Sequence, residues 1–327
     1  MRIVALAGGV GGARFLRGLR RAAPDVDITV IGNTGDDITL YGLRVCPDLD
    51  TVMYTLGGGI HEGQGWGRAD ETFSVADELA AYDVRPRWFT LGDRDIATHV
   101  VRTHMLDSGY PLSAVTEALC ERWRPRVRLL PMTDDRVETH VVIADDNAVD
   151  GSGGRRAIHF QEWWVRLHAD VPAKEIVAVG AEDAKPAPDV LEAIDAADAV
   201  LLPPSNPVVS IGTILAVPGI RAAVEDKTVV GVSPIIGGAP VRGMADACLT
   251  AIGVETSARA VAALYGPRLL DGWLVDESDA GDTPGASLGN SIEGITIRAL
   301  PLYMRDVESA AAIARAALDL ADELRER

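Results

Sequence analysis

Gly8, Gly9, Gly11 and Gly12 crowd into the first dozen residues, between the apolar run IVALA and the amphipathic stretch ARFLRGLRRAAP. A glycine turn leading from a strand into a helix exposes backbone N–H groups beside the positive end of the helix dipole, which favours an anion. Glycines let phosphate reach those donors, where a side chain would hold it off. The same residues also suit a plain tight turn with close helix–sheet packing. The spacing is not a Walker loop, which needs Lys followed by Ser or Thr. Nor is it a clean G-x-G-x-x-G, because counting from Gly9 the last glycine position holds Arg14. An arginine there can itself pair with phosphate.

Carboxylates come next. NTGDD carries Asp36 and Asp37 just past a second apolar run, and PDLD carries Asp48 and Asp50 within a dozen residues. Beside a phosphate loop, such carboxylates are what a Mg²⁺ bridging a diphosphate requires. Asp36 and Asp48 are equally at home in turns and helix caps. In WFTLGDRDIATH, Asp93 and Arg94 project from a turn between an apolar run and a helix, with Asp95 or Thr98 near the helix start. A capped helix start explains that group without any chemistry. In LLPPSNPVVSIG, Pro203, Pro204 and Pro207 pre-set a loop that holds Ser205 and Asn206 at a strand end, and Ser210 suits an N-cap. VSPIIGG repeats the theme with Ser233 and Gly237-Gly238.

These groups need elements to hold them. IVALA and ITVIGNT are apolar runs of strand length separated by a helix, which makes a βαβ start. A glycine-rich loop (57–67) leads into helical patterns at Val75 to Tyr82, Ile96 to Leu106 and Leu112 to Trp123, with WFTL as a strand among them. VETHVVIAD and RRAIHFQEWWVRL read as two strands joined by the loop DDNAVDGSGG. EIVAVG, PDVLEAIDAA, DAVLLP, IGTILAVPGIRAAV and KTVVGVSP then alternate as strand, helix, strand, helix and strand. ITIRALPLYM is a further strand, and Asp306 caps a final helix. Loops beyond the strand ends of such a sheet form its ligand crevice. The expectation is one α/β unit: a Rossmann-like, mostly parallel sheet with helices on both faces, a helical insertion over 57–126 and a β-hairpin lobe over 137–167.

A net charge of −17 disfavours nucleic acid and anionic membranes as partners, since both need a cationic footprint. The one dense basic run, Arg122 to Arg128, reads as a solvated helix end. No apolar run approaches bilayer length, so a cytoplasmic protein is expected. Cys46, Cys120 and Cys248 form no C-x-x-C pair, and His99 and His104 are five apart rather than four. Neither a disulfide framework nor a zinc pair is expected.

The run of GGVGGARF, NTGDDITLYGLRVCPDLDTVMYTL, GWGRADETF, WFTLGDRDIATHVVRT, PMTDD, FQEWWV, PPSNPVVSIGTILAVPGI and VSPIIGG closely resembles the 2-phospho-L-lactate or phosphoenolpyruvate transferases of deazaflavin coenzyme (F-420) biosynthesis. The likeness runs in order from Met1 to about Gly243. It implies that a guanosine-diphosphate-linked three-carbon acid gives its phosphoryl unit to the ribityl hydroxyl of 8-hydroxy-5-deazariboflavin (Fo), with GMP leaving. It further implies Mg²⁺ held by Asp36 and Asp48 with Asp50 close by, and Asp48 or Asp50 orienting or deprotonating the hydroxyl. Gly9, Gly11, Gly12 and Arg14 would cradle phosphates; Ser205, Asn206, Pro207 and Ser210 would fix the guanosine. Thr90, Gly92, Asp93 and Arg94 would sit beside the deazaflavin. Arg outnumbers Lys 28 to 3, which suggests a GC-rich bacterial source and hence the enolpyruvyl donor. A homodimer is compatible with such a fold. Two other readings are a non-catalytic nucleotide-sugar-binding regulator and a nicotinamide-dependent dehydrogenase. The dehydrogenase is disfavoured by Arg14 and by Asn33-Thr34, where a ribose-binding acid is expected.

Overall fold

The strand Arg2–Ala7 lies inside the sheet, and both of its faces are covered: Ile3, Ala5 and Ala7 enter one core, Val4 and Leu6 the other. The computed structural model describes residues 1–145, 154–280, 291–292 and 294–326. Arg2–Ala7 pairs in parallel with Asp27–Gly32 on one side and Ala199–Leu202 on the other. Arg128–Pro131 lies beyond Asp27–Gly32. Val229–Val232, Gly272–Val275 and Ile295–Ala299 extend the opposite side, again in parallel. The edge piece Ser291–Ile292 runs antiparallel. Strand order therefore reverses between Arg2–Ala7 and Ala199–Leu202, and the glycine loop and the PPSNP loop leave the carboxyl ends of those two strands. That switch point is where open α/β sheets take their ligands.

Helix Gly9–Ala22 lays Phe15, Leu16 and Leu19 on one face of the sheet, beside Ile313, Ala314 and Ala317 of helix Val307–Arg325. Asp306 caps the latter as expected, in a reciprocal box: its carboxylate accepts from Ser309 N (2.7 Å) and its own N–H donates to Ser309 Oγ (3.0 Å). Val190, Ile194, Ile214, Ile220, Val224 and Val261 cover the other face.

The segment between the second and third parallel strands holds the hairpin Ile38–Leu40/Leu43–Val45 and helices Pro47–Gly57, Ser74–Ala81, Asp93–Asp107 and Leu112–Trp123. Pro47–Gly57 is buried on nearly every side. Ser74–Ala81 buries no side chain. It is fastened by Asp93, whose carboxylate accepts from Thr72 Oγ1 (2.6 Å), Ser74 N (3.0 Å) and Val75 N (3.0 Å).

Several elements depart from the sequence expectation. WFTL is not a strand: the place beside Asp27–Gly32 belongs to Arg128–Pro131, and Phe89 and Leu91 pack instead with Leu40, Val45 and Ile96. EIVAVG does not join the parallel sheet. Ala173–Val179 pairs antiparallel with Glu138–Ala144, which pairs with Arg155–His159, so the lobe has three strands rather than two. Its residues alternate between half-buried and exposed, unlike a strand buried on both faces. FQEWWVRL turns helical at Glu162–Arg166, because Trp163 drops into the lobe's core with Phe160 and donates its Nε1–H to Val171 O (2.7 Å). Most of the expected loop DDNAVDGSGG lies outside the described residues. Pro218 splits IGTILAVPGIRAAV, since it cannot continue a helix. Ser210 is not the N-cap there: Asn206 is, its Oδ1 accepting from Val208 N (2.9 Å) and Val209 N (3.2 Å). Gly272–Val275, a fully buried strand, carried too short an apolar run to be anticipated.

Candidate active site

The glycine loop and the PPSNP loop touch across the switch point. Ser205 Oγ accepts from Gly8 N (3.1 Å) and donates to Gly8 O (2.8 Å). A Cβ on Gly12 would lie 2.6 Å from Ser205 Oγ, and one on Gly11 would overlap the Pro204 carbonyl oxygen. Gly8 is equally closed, against Asp48 and Ser210. Three of the four glycines are thus explained by loop-on-loop packing, the tight-turn reading of the motif. Gly9 differs: its φ of +63° is left-handed, and a Cβ there would meet only Asp48 Oδ1 at 3.7 Å. Gly11→Ala is expected to destabilise the fold by about 1 to 3 kcal/mol, because the opposing atom is backbone and cannot swing away. An unchanged urea midpoint would remove this packing argument.

Asp48, in the first turn of helix Pro47–Gly57, points at this junction. Its Oδ2 accepts from Asn33 Nδ2 (2.9 Å), and the Gly9 N–H also donates to its carboxylate. Asn33 is fixed in turn, donating to Val209 O (3.2 Å) and accepting from Gly35 N (2.9 Å). Asp36 is buried, and its Oδ1 has no partner among the described residues. Burial drives the Asp36 carboxyl well above the usual carboxylate range, and neighbouring Asp48 drives it further, against the Asn33 hydrogen bond. Burial also raises Asp48, against its bonds from Asn33 and Gly9. Two carboxylates forced together, one with an orphaned oxygen, fit a hard divalent cation. Among the described residues no set of three or more His, Cys, Asp or Glu side chains could hold a metal. Mg²⁺ matches the pair none the less, since it commonly takes one or two carboxylates plus substrate phosphate and water.

Asp37 and Asp50 face elsewhere. Asp37 is clamped by Arg44 (3.1 Å) and accepts from Cys46 Sγ (3.0 Å); burial still lifts its carboxyl to about 6. Asp50 forms a very close, buried ion pair with Arg102. Arg102 also donates to His99 Nδ1 (3.0 Å), which leaves the His99 Nε2–H facing Asp95 at 3.4 Å. Tyr54 donates to Asp95 (2.7 Å). Sequence reasoning missed Asn33, Tyr54, His99 and Arg102 as a support layer. Their only signal was polarity at positions that turned out to be buried, Asn33 just past a strand and the other three on helices.

Arg14 lies half-buried on helix Gly9–Ala22 and has no hydrogen-bond or ion-pair partner among the described residues. Asn206 and Ser205 use their side chains within the protein, so any grip on guanosine falls to the backbone of this loop. Pro207 opens the turn Pro207–Gly212, and Ser210 packs on Gly8. Thr90, Gly92, Asp93 and Arg94 are not gathered with these residues; they surround the start of helix Asp93–Asp107. There Glu71 accepts from Arg94 N and Asp95 N (both 2.8 Å) against Gly92, and Thr90 is exposed. Behind that helix start, His99 lies 3.4 Å from Asp95 and 3.8 Å from Asp50.

Residues 3–287 match the family described as 2-phospho-L-lactate transferase CofD. A phosphoenolpyruvate transferase of Thermobifida fusca is 70% identical over the full length of both chains, and one of Streptomyces coelicolor is 68% identical, again over all of both. That of Mycolicibacterium smegmatis is 54% identical over 98% of this chain and 99% of its own. A UPF0052-family protein of Bacillus halodurans shares the fold alone, with a TM-score of 0.62 at 18% identity over 97% of this chain and 99% of that one. No described helix is long and apolar enough to cross a membrane. On the family match and the full-length relatives together, this chain belongs to the 2-phospho-L-lactate transferase family.

Proposed function

We propose that the protein transfers a phosphoenolpyruvyl group from a guanosine-diphosphate-linked donor to the ribityl hydroxyl of Fo. The hydroxyl oxygen bonds to the phosphorus that bears the enolpyruvyl group. The bond from that phosphorus to the bridging oxygen breaks, GMP leaves with the bridging oxygen, and the hydroxyl proton is lost. The observation that carries this reading is the Asp36–Asp48 pair set against the glycine loop at the switch point, in a chain so close to phosphoenolpyruvate transferases. Displacement at phosphorus needs alignment and charge neutralisation more than covalent catalysis, and no activated Ser or Cys is required. Cys46 and Cys248 are buried with thiols pushed up by burial, Cys248 to about 12, which suits inert side chains.

Asp36 and Asp48 would hold Mg²⁺, which when bound neutralises diphosphate charge. Asn33 and Gly9 N–H fix the Asp48 carboxylate toward the junction of the two loops. These contacts support reading Asp48 as the carboxylate that orients the incoming hydroxyl, while Asp50 anchors the helix beneath it through Arg102. The PPSNP backbone takes the guanosine, and the 90–94 turn takes the flat acceptor. The relatives' names favour the enolpyruvyl donor over the lactyl one.

Incubation with Fo and both guanylylated donors at equal concentration is expected to give GMP and mainly the enolpyruvyl adduct. A product two hydrogens heavier reverses the donor assignment and leaves the transferase standing. Calorimetry is expected to show GDP binding at least about tenfold tighter than ADP, since a mismatched base leaves a buried group unpaired at roughly 1 to 3 kcal/mol.

A further inference from the structure

The loop 57–67 crosses the outer side of helix Gly9–Ala22 and is tied down there by arginines. Arg17 pairs with Glu62 (2.5 Å). Arg242, from the loop beyond strand Val229–Val232, donates to Gln64 O (2.6 Å) and Gly63 O (3.3 Å), and its guanidinium lies 5.9 Å from the Trp66 ring centre. A Cβ on Gly65 would stand 2.6 Å from both Arg242 Nη1 and Val10 Cγ1, so Arg242, Gly65 and Val10 share one spot. Val10 is one helical turn before Arg14, and helical side chains lean toward the N-terminus. Arg14 therefore runs back toward Arg242. Burial, then Arg242, then Arg17 hold the Arg14 guanidinium below its ordinary pKa, with Glu62 opposing. Three guanidiniums thus meet one carboxylate, and that carboxylate is taken by Arg17. In a chain carrying a net charge of −17, two cations facing each other with only Glu62, already paired to Arg17, as counter-charge favour an added anion.

We propose that Arg14 and Arg242, brought together by the Gly63–Trp66 turn, form a clasp for an oxyanion of the donor. The clasp deepens the transferase reading and rests on it. Two donor groups share the required chemistry: a phosphate of the nucleotide and the carboxylate of the three-carbon acid. Arg242 comes from the far half of the sheet and is exposed, so the clasp tightens when the anion supplies the missing charge.

Calorimetry with GDP and with the enolpyruvyl-linked donor, on wild type, Arg14→Met, Arg242→Met and Arg242→Lys, tests this. The two Met variants are expected to lose about tenfold or more in affinity, the loss of charge-assisted hydrogen bonds, while the KM for Fo holds. Arg242→Lys is expected to recover part of the loss, keeping charge without the planar fork. A loss already present with GDP puts a phosphate in the clasp; a loss confined to the enolpyruvyl-linked donor puts the carboxylate there. Met variants that match wild type on both ligands overturn the clasp and leave the transferase standing. Wild-type protein that binds neither ligand overturns the transferase reading, and the clasp with it.

Discussion

Asp36→Asn is expected to abolish most turnover, by about 10²-fold or more, while raising the melting temperature of the metal-free protein at pH 7.5. Burial and Asp48 both raise the Asp36 carboxyl, so the folded state resists its ionisation. A carboxyl raised in the fold contributes stability that is present below its unfolded pKa of about 4 and lost as pH rises through the folded value. The gain from the neutral amide should therefore be largest near neutrality and shrink toward pH 4. Asp48→Asn should lose turnover equally without that gain, because its carboxylate accepts from both Asn33 Nδ2 and Gly9 N. An amide has one acceptor oxygen, and turning its NH₂ toward either donor is unfavourable. Mg²⁺ should raise the melting temperature of wild type and of neither variant. Equal thermal shifts with Mg²⁺ in all three proteins would show that the pair is not the metal site.

The second large effect is on stability. Arg102→Met leaves the buried Asp50 carboxylate without its guanidinium partner, and breaking such a pair from one side costs roughly 3 to 5 kcal/mol. For a chain of 327 residues that corresponds to a fall in melting temperature of roughly 4 to 7 °C. Adding Asp50→Leu should restore most of the loss, since a buried ion pair exchanged for apolar packing is often neutral. The same double variant separates the roles of the two carboxylates. With Asp48 as the orienting group, turnover of the double variant stays within about tenfold of wild type; a fall of about 10³-fold on a restored fold would make Asp50 the base.

The alternation of buried runs with amphipathic ones made the parallel sheet, its first βαβ unit and the capped last helix legible in the sequence. The place of the switch point, and the meeting of AGGVGG with PPSNP across it, came only with the strand order. What the sequence could not show was which side of a polar helix is buried. Asp48 and Asp50 look alike on paper, yet they lie two residues apart on a helix closed on nearly all sides, one facing Asn33 and the other Arg102. Their partners sit 15 and 52 positions away. EIVAVG was misplaced for a similar reason: strand propensity does not say which sheet has room. The glycine run suits a ligand and a tight turn alike in the sequence, and what it could not show is that Gly11 and Gly12 pack against Pro204 and Ser205 nearly two hundred residues later.

Helix Ser74–Ala81, with no side chain in any core and Asp93 as its main fastening, has a consequence for how the molecule breathes. Opening this helix exposes almost no apolar surface, so its free energy of local opening falls far below that of global unfolding. Its amides should exchange with solvent long before those of Pro47–Gly57. Replacing Asp93 with alanine should hasten that exchange while leaving the exchange of the parallel strands where it was. The covering beside the 90–94 turn is thus a separate cooperative unit, able to come and go while the carboxylates at the switch point stay fixed.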